Sequence, residues 1–404
     1  MTQEIVFYHS SQAGAPSATL NVAGALLAVL DACLVNGFNS NSISVLTQSS
    51  GTATATTSGS HGFHVGEWVE VAGATPSAYN GRVKVLSTPT TSQFTYAVAG
   101  GTSSPASGTM TAKYPGAGWL KTIAGTNIAA YQSGAGSLGH WIQVEDNNPY
   151  ADSNLTVRTR IAAGWGSLDA ATTLGSQVKH LKQNGGWMLF ADARTVWLFT
   201  GTISTASVLT CFSFGEGDSF YGSDGYFFYQ NKGESGATGS IYSEAAYAGL
   251  NGVCGARYFP HFRWYQGAAT PTFEYIRGVS QVGGATPGAQ TMLEANVREF
   301  GTTNTWTAHS QDLQVPSLAD NTIPVSPIFG LEYSSSNYTL RGRLRGALFP
   351  LGGLTSGFAN SHQRLDNGVI DGVSQPLVLM TTNFATNPTT GANRQLAFKV
   401  DGAW

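Results

Sequence analysis

GGWMLFADARTVWLFT, from Gly185 to Thr200, reads as a pair of strands, and it decides the fold class. Successive side chains of a strand alternate between its faces. Trp187, Leu189 and Ala191 therefore share one face, and Met188 and Phe190 the other. Both faces are apolar, so the pair is expected to be covered on both sides. The residues before it extend the pattern. LKTIAGTNIAAYQSG (Leu120–Gly134), GHWIQVED (Gly139–Asp146) and NLTVRTRIAAGW (Asn154–Trp165) read as further strands. Three of the nine tryptophans, Trp165, Trp187 and Trp197, fall on or near the hairpin, which predicts that it forms the middle of a sheet core. No reaction chemistry is visible in this stretch.

The 404 residues are 42% apolar, enough for a real core, but only 11% charged. That is less than half of the roughly 25% usual for soluble domains. Long solvated helices need Glu and Lys outside, and this chain has few. With 50 glycines and abundant Ser and Thr, the composition points to β-structure. A surface poor in charge also suits burial against neighbouring subunits. Net charge is −3 and the basic residues are scattered, which argues against nucleic-acid binding. The one dense basic run is RGRLR, whose Arg341, Arg343 and Arg345 alternate along one strand face. It reads as a solvated or interface-facing strand, with an anionic ligand site as the alternative. Cys33, Cys211 and Cys254 are too far apart for a disulfide framework or a metal site, and suit a reducing cytoplasm. The N-terminus lacks the pattern of a signal peptide. The most apolar run, Val22–Val35, is too short to span a bilayer.

Taken in order, residues 1–45 supply a strand, EIVFYHS, and one helix over 22–35. In that helix Leu26, Leu27, Leu30, Cys33 and Leu34 recur at helical spacing, and Asn36-Gly37 ends it. The helix is expected to pack on the central sheet. Residues 46–113 lose almost all charge and alternate short strands with turns, including Asn80-Gly81. They predict a small β-sandwich or barrel inserted into a loop of the larger domain. Residues 114–404 form the main β domain. Within them, 213–243 and ARYFPHFRWY (Ala256–Tyr265) are rich in rings, and the chain closes on Trp404, expected to be docked. The predicted fold is mainly β: an antiparallel, sandwich-like core with one N-terminal helix and an inserted small β-domain.

Chemical motifs read as structural. Gly134-Ala135-Gly136-Ser137-Leu138-Gly139 matches G-x-G-x-x-G, but a strand follows it where a dinucleotide site needs a helix, so it predicts a hairpin loop. Asp146, Asn148 and Asp152 lie in a polar loop without the Gly and Glu of an EF-hand. Glu145 or Asp146 is placed to pair across strands with Arg158 or Arg160. His61 and His64 lack a third ligand nearby in sequence. Glu216, Asp218 and Asp224 are the carboxylates that a glycosidase reading would use, although Asp is also a common turn residue. No catalytic, cofactor-binding or metal site is assigned. Trp68, Tyr79 and Asn80 are candidate glycan or partner contacts. Phe220, Tyr221, Tyr226, Phe227, Phe228 and Tyr229 are candidate interface residues.

Four stretches resemble a family of virion structural proteins of tailed bacteriophages: GAPSATLNVAGALLAVLDACLVNGF; FHVGEWVEVAGATPSAYNGRVKVLSTPTTSQFTYAV; GWLKTIAGTNIAAYQS with HWIQVEDNNP, VRTRIAAGW and WMLFADARTVWLF; and LRGRLRGALFPLGG with the closing VDGAW. Their order along nearly the whole chain is the specific feature. The resemblance implies a non-enzymatic virion component without cofactors, made in the bacterial cytoplasm. It implies a place at the tail tip or baseplate, with a collar, neck or capsid-decorating position as the alternative. The expected partners are its own copies in a symmetric ring, a trimer or hexamer, and other phage tail proteins. A further alternative gives the inserted domain a glycan on the bacterial cell surface as its partner.

Overall fold

In a computed structural model, the described residues are 5–147, 156–167, 170–174, 178–181, 184–201, 210–222, 224–225, 227–231, 273–275, 290–295, 323–334, 337–350, 362–370, 373–382 and 394–399. The chain opens with β1 (Val6–His9) and helix α1 (Ala25–Leu30), which runs into a π-helical turn, Asp31–Asn36. Strands β2 (Phe38–Ser49), β3 (Thr52–Thr57), β4 (Trp68–Ala72), β5 (Gly81–Thr90), β6 (Gln93–Ala97) and β7 (Met110–Tyr114) close into a barrel in the order β2-β3-β6-β5-β4-β7. Strands β8 (Leu120–Gly125), β9 (Ile128–Gln132), β10 (Trp141–Glu145), β11 (Thr156–Ser167), β12 (Ala170–Leu174) and β13 (Val178–Leu181) form a second, six-stranded sheet. The third sheet has twelve strands. It contains β1 with β14 (Trp187–Ala191), β15 (Thr195–Thr200), β16 (Thr210–Ser219), β17 (Phe228–Asn231), β18 (Phe273–Tyr275), β19 (Gln290–Ala295) and β20 (Ile323–Ser334). Strands β21 (Asn337–Pro350), β22 (His362–Ile370), β23 (Val373–Thr382) and β24 (Arg394–Lys399) complete it. Among the described pairings only β20 with β22 is parallel.

The fold is therefore mainly β and antiparallel with one short helix, as composition predicts. The stretch 119–199 spans two sheets, however. β8 to β13 belong to the six-stranded sheet, whereas β14 and β15 belong to the twelve-stranded one, where β14 lies next to β1. Every residue of β14 and β15 is buried, Trp187 and Trp197 included, so both faces of this hairpin are covered. Phe190 stacks on Phe7 and Phe398 at 4.6 and 4.1 Å between ring centres. The side chain of Trp165, together with Trp404, Cys254 and the 256–265 segment, lies outside the described residues.

The apolar stripe of the helix is as read: Leu26, Leu27, Leu30, Cys33 and Leu34 are all buried. It starts at Ala25 because Gly24 has φ +82°, and it leaves Val22 exposed. The π-helical turn lies against the six-stranded sheet. Asp31 accepts hydrogen bonds from Lys121 Nζ on β8 at 2.7 Å and from the Tyr131 hydroxyl on β9 at 2.8 Å.

The closed barrel begins ahead of the fall in charge at residue 46. β2 starts at Phe38, whose Cα pairs with Tyr114 of β7. Charge disappears later than pairing begins, so composition alone places the boundary late. Closure removes the edges that an isolated small sheet would expose. The interior is filled by small residues, Ala53, Ala55 and Ala112, with Val69, Val71, Val85, Phe94 and Tyr96. At the neck, Gly37 has φ +70°, and a Cβ there would strike the Tyr114 carbonyl. Ala117 N–H donates to Cys33 O at 2.8 Å, Tyr8 hydroxyl to Pro115 O at 2.8 Å, and Gln12 Nε2 to Glu67 Oε1 at 3.0 Å. The barrel is thus fastened to the N-terminal segment by backbone and side chains together.

Candidate functional site

The strongest concentration of chemistry lies where the β14–β15 turn, β16 and β21 meet. Asp192 sits in the turn, where a short acceptor side chain can hold its own backbone. Its Oδ1 accepts from the N–H groups of Arg194 (2.7 Å) and Thr195 (2.8 Å), and its Oδ2 from Arg345 NH2 (3.0 Å). Glu216 is fully buried and accepts from Arg194 Nε (2.9 Å), the Ser133 hydroxyl (3.1 Å) and Leu138 N–H. Asp218 accepts from Arg345 NH1 at 2.7 Å. Asp224 holds Arg341 by a fork, with Nε at 2.7 Å and NH2 at 2.8 Å, and Arg341 is fully buried. Burial alone lowers the pKa of Arg345. Asp192 and Asp218 more than offset this, so its guanidinium titrates above the usual arginine value.

The arrangement is a lattice of ion pairs. Each of the three carboxylates that a glycosidase reading would use has an arginine partner from within the chain. Glu216 and Asp224 are also shut away from a sugar. The RGRLR run does line one strand, but only Arg343 points to solvent; Arg341 and Arg345 turn onto internal acids.

The 133–140 loop carrying G-x-G-x-x-G is a hairpin loop between β9 and β10, as its flanks predict. It does hold an anion, an internal one, because Ser133 and Leu138 both donate to Glu216. Asp146 anchors the helix. It is buried, its Oδ2 accepts from Leu26 N–H at 2.8 Å, and its carbonyl accepts from Gly24 N–H at 2.8 Å. The cross-strand pair that forms is Glu145 with Arg158, at 3.9 Å. Asn148 and Asp152 lie outside the described residues. His61 is buried; its Nδ1 accepts from Phe63 N–H at 2.9 Å, and its Nε2 contacts Gln93 O at 3.1 Å. Both ring nitrogens are thus committed, and His64 pairs with Glu67 instead. Among the described residues no cluster of His, Cys, Asp and Glu is arranged to hold a metal ion. Cys33 and Cys211 are buried, and burial pushes the Cys33 pKa well up.

The candidate glycan contacts come apart. Tyr79 is fully buried, with its hydroxyl donating to Ser103 O at 3.0 Å, so its ring offers no face to a sugar. Asn80 closes the loop between β4 and β5: its Oδ1 accepts from Ala74 N–H and its Nδ2 donates to Ala74 O. The Asn80-Gly81 pair therefore does not form a two-residue hairpin turn; it ends a short 3₁₀ turn, Ser77–Tyr79. Trp68 is half-buried on β4, with Lys84 Nζ 6.0 Å from its ring centre.

The candidate interface residues also divide. Phe227, Phe228 and Tyr229 are fully buried within the chain, against Arg341, Trp119 and Thr195 respectively. They belong to the core and not to a surface. Phe220 and Tyr221 are 49% and 43% exposed. Tyr226 lies outside the described residues. Sequence reasoning missed Leu138, 43% exposed on the loop that His140 joins to Gly225. Its only signal was an apolar residue among turn glycines.

No protein-family model matches this chain, and no curated protein sequence matches it.

Proposed function

We propose that this chain is a structural subunit of a tailed-bacteriophage virion, built into the tail tip or baseplate through contacts with its own copies and with other tail proteins. The observation that carries this reading is the division of its side chains at one corner. Glu216 of β16 and Arg341 and Arg345 of β21 are paired internally, while Phe220, Tyr221, Leu138 and Arg343 stand exposed. Rings and arginines at a surface are what protein contacts select, and charge at the centre of a contact is what they avoid. The ordered likeness of four sequence stretches to phage virion proteins supplies the biological setting. On this reading the subunit is made in the bacterial cytoplasm, carries out no reaction and ends in the particle.

Mass spectrometry of purified particles from the phage or prophage that encodes the chain tests this, together with gold-labelled antibody in electron micrographs. The chain is expected among the particle proteins, with label at the tail end. Label at the neck or head would move the subunit to a collar or decorating position. Absence from the particles would end the reading.

A further inference from the structure

The corner that exposes Phe220 and Tyr221 is held unusually firmly for a surface turn. Phe220 N–H donates to Arg341 O at 3.0 Å, Tyr221 N–H to the Ser219 hydroxyl at 3.0 Å, and Asp224 N–H to Tyr221 O at 3.0 Å. Beneath it, Arg341 grips Asp224 with two bonds in a buried site. Phe227 packs over Gly217 and Gly342, where a Cβ on either would strike its ring. Removing two charges from water is costly and adds little net stability. What such a pair does accomplish is to fix one geometry for the turn it supports. A surface already ordered before association loses less freedom on binding.

The charges at this corner are self-complementary. Asp218 and Arg343 are cross-strand neighbours on β16 and β21. Arg343 is exposed, makes no ion pair among the described residues and lies 5.9 Å from the centre of the Phe220 ring. Asp218 directs Oδ1 at Arg345 and Arg194, its side chain is 43% exposed, and its Oδ2 accepts no hydrogen bond among the described residues. A cation and a carboxylate oxygen, each with unused capacity, thus stand side by side between exposed rings. A two-fold axis through such a patch brings each residue type onto its counterpart's neighbour.

We infer that this corner is a two-fold contact between two copies of this chain, with Arg343 of each copy meeting Asp218 Oδ2 of the other and the Phe220 and Tyr221 rings packing across the axis. The inference rests on the self-assembling subunit proposed above and names the surface it uses. It makes the assembly even-numbered, which fits a hexamer with two-fold axes and not a trimeric ring.

Two measurements on the full chain test it. In a Cys254→Ser background the described thiols, Cys33 and Cys211, are buried. Tyr221→Cys is then expected to give a covalent dimer on mild oxidation. Leu120→Cys, which is 53% exposed on β8, is expected to give none. Separately, sedimentation is expected to show self-association weakened at least about tenfold by Phe220→Ser with Tyr221→Ser, and again by Arg343→Glu, which places two carboxylates together. All three positions are exposed, and circular dichroism verifies that these variants fold. If the wild-type chain self-associates but these variants associate equally well and Tyr221→Cys does not cross-link, the corner is not the contact, although the assembly reading stands. A wild-type chain that stays a single copy in solution and gives no cross-link also overturns the two-fold contact. The virion reading falls separately, on absence from particles.

Discussion

The barrel and the ion-laced corner of the twelve-stranded sheet face the same problem, buried polar groups in a chain with few charges, and meet it differently. In the barrel several partners are neutral, although the Tyr114 hydroxyl donates to the Glu67 carboxylate at 2.7 Å. The Tyr79 hydroxyl donates to Ser103 O, Tyr96 to Tyr79 O, and Thr57 to Gly59 O. In the sheet the partners are ions: Asp224 with Arg341, Glu216 with Arg194, Asp192 with Arg345. A closed barrel has no edges to organise, so small side chains and hydroxyls suffice. The open sheet gathers a loop, a hairpin turn and two distant strands at one place, and charged forks fix that meeting. The two regions should therefore fail differently when one partner is removed.

The largest effect is expected at Arg341. Arg341→Ala leaves the Asp224 carboxylate buried without its partner and should cost about 3–5 kcal/mol in urea unfolding. The paired change Arg341→Met with Asp224→Leu should cost far less, because no charge is left alone. Equal losses from the single and paired changes would show that packing, not charge, holds this corner.

Alkaline pH tests both regions at once. Burial raises the phenol pKa of Tyr96, Tyr114, Tyr131 and Tyr229, and of Tyr8. At Tyr114 and Tyr131 the carboxylates of Glu67 and Asp31 add to it. Unfolded tyrosines ionise near pH ~10, so this contribution is complete below that pH and is lost as pH climbs toward the folded values. Stability should fall above pH ~10 by up to about 1.4 kcal/mol per pH unit for each such tyrosine. Urea midpoints that stay level between pH 9.5 and 11, values chosen to bracket that ~10, would contradict it.

Smaller effects separate the neck from the barrel interior. Gly37→Ala, at positive φ against the Tyr114 carbonyl, should cost about 1–3 kcal/mol and loosen amide-exchange protection on both sides of the neck. Tyr96→Phe removes one neutral hydrogen bond and should cost about 1 kcal/mol. Phe220→Ser and Tyr221→Ser, being exposed, should each change folding stability by no more than about 0.5 kcal/mol. A larger loss there would mean that these rings support the fold and not a contact.

Period and composition carried the reading wherever one chain segment decides its own environment. The five-residue apolar stripe of the helix and the two-sided apolar hairpin at 187–200 are of this kind. So is the strand after G-x-G-x-x-G. What failed depended on partners distant in sequence. Asp192 meets Arg345 across 153 residues, and no local rule pairs them. Tyr79 and Asn80 carry a turn signal, but whether a ring at a turn points in or out is set by what closes over it, here Ser103 and Tyr96. Phe227, Phe228 and Tyr229 look like Phe220 and Tyr221 by composition. They differ only because β17 is flanked by β16 and β18, while the turn before it is not. The start of the barrel is of the same kind: Phe38 is committed to it by its pairing with Tyr114, not by its own neighbours.

The central claim is that the β16–β21 corner, where Glu216, Arg341 and Arg345 are paired internally and Phe220 and Tyr221 stand exposed, joins copies of this chain. Sedimentation velocity of the unmodified full chain, from micromolar toward millimolar concentration, tests this most directly. The account predicts conversion from one copy to a closed assembly of fixed, even copy number. A sedimenting species that remains a single 42.3 kDa chain at every concentration would contradict it.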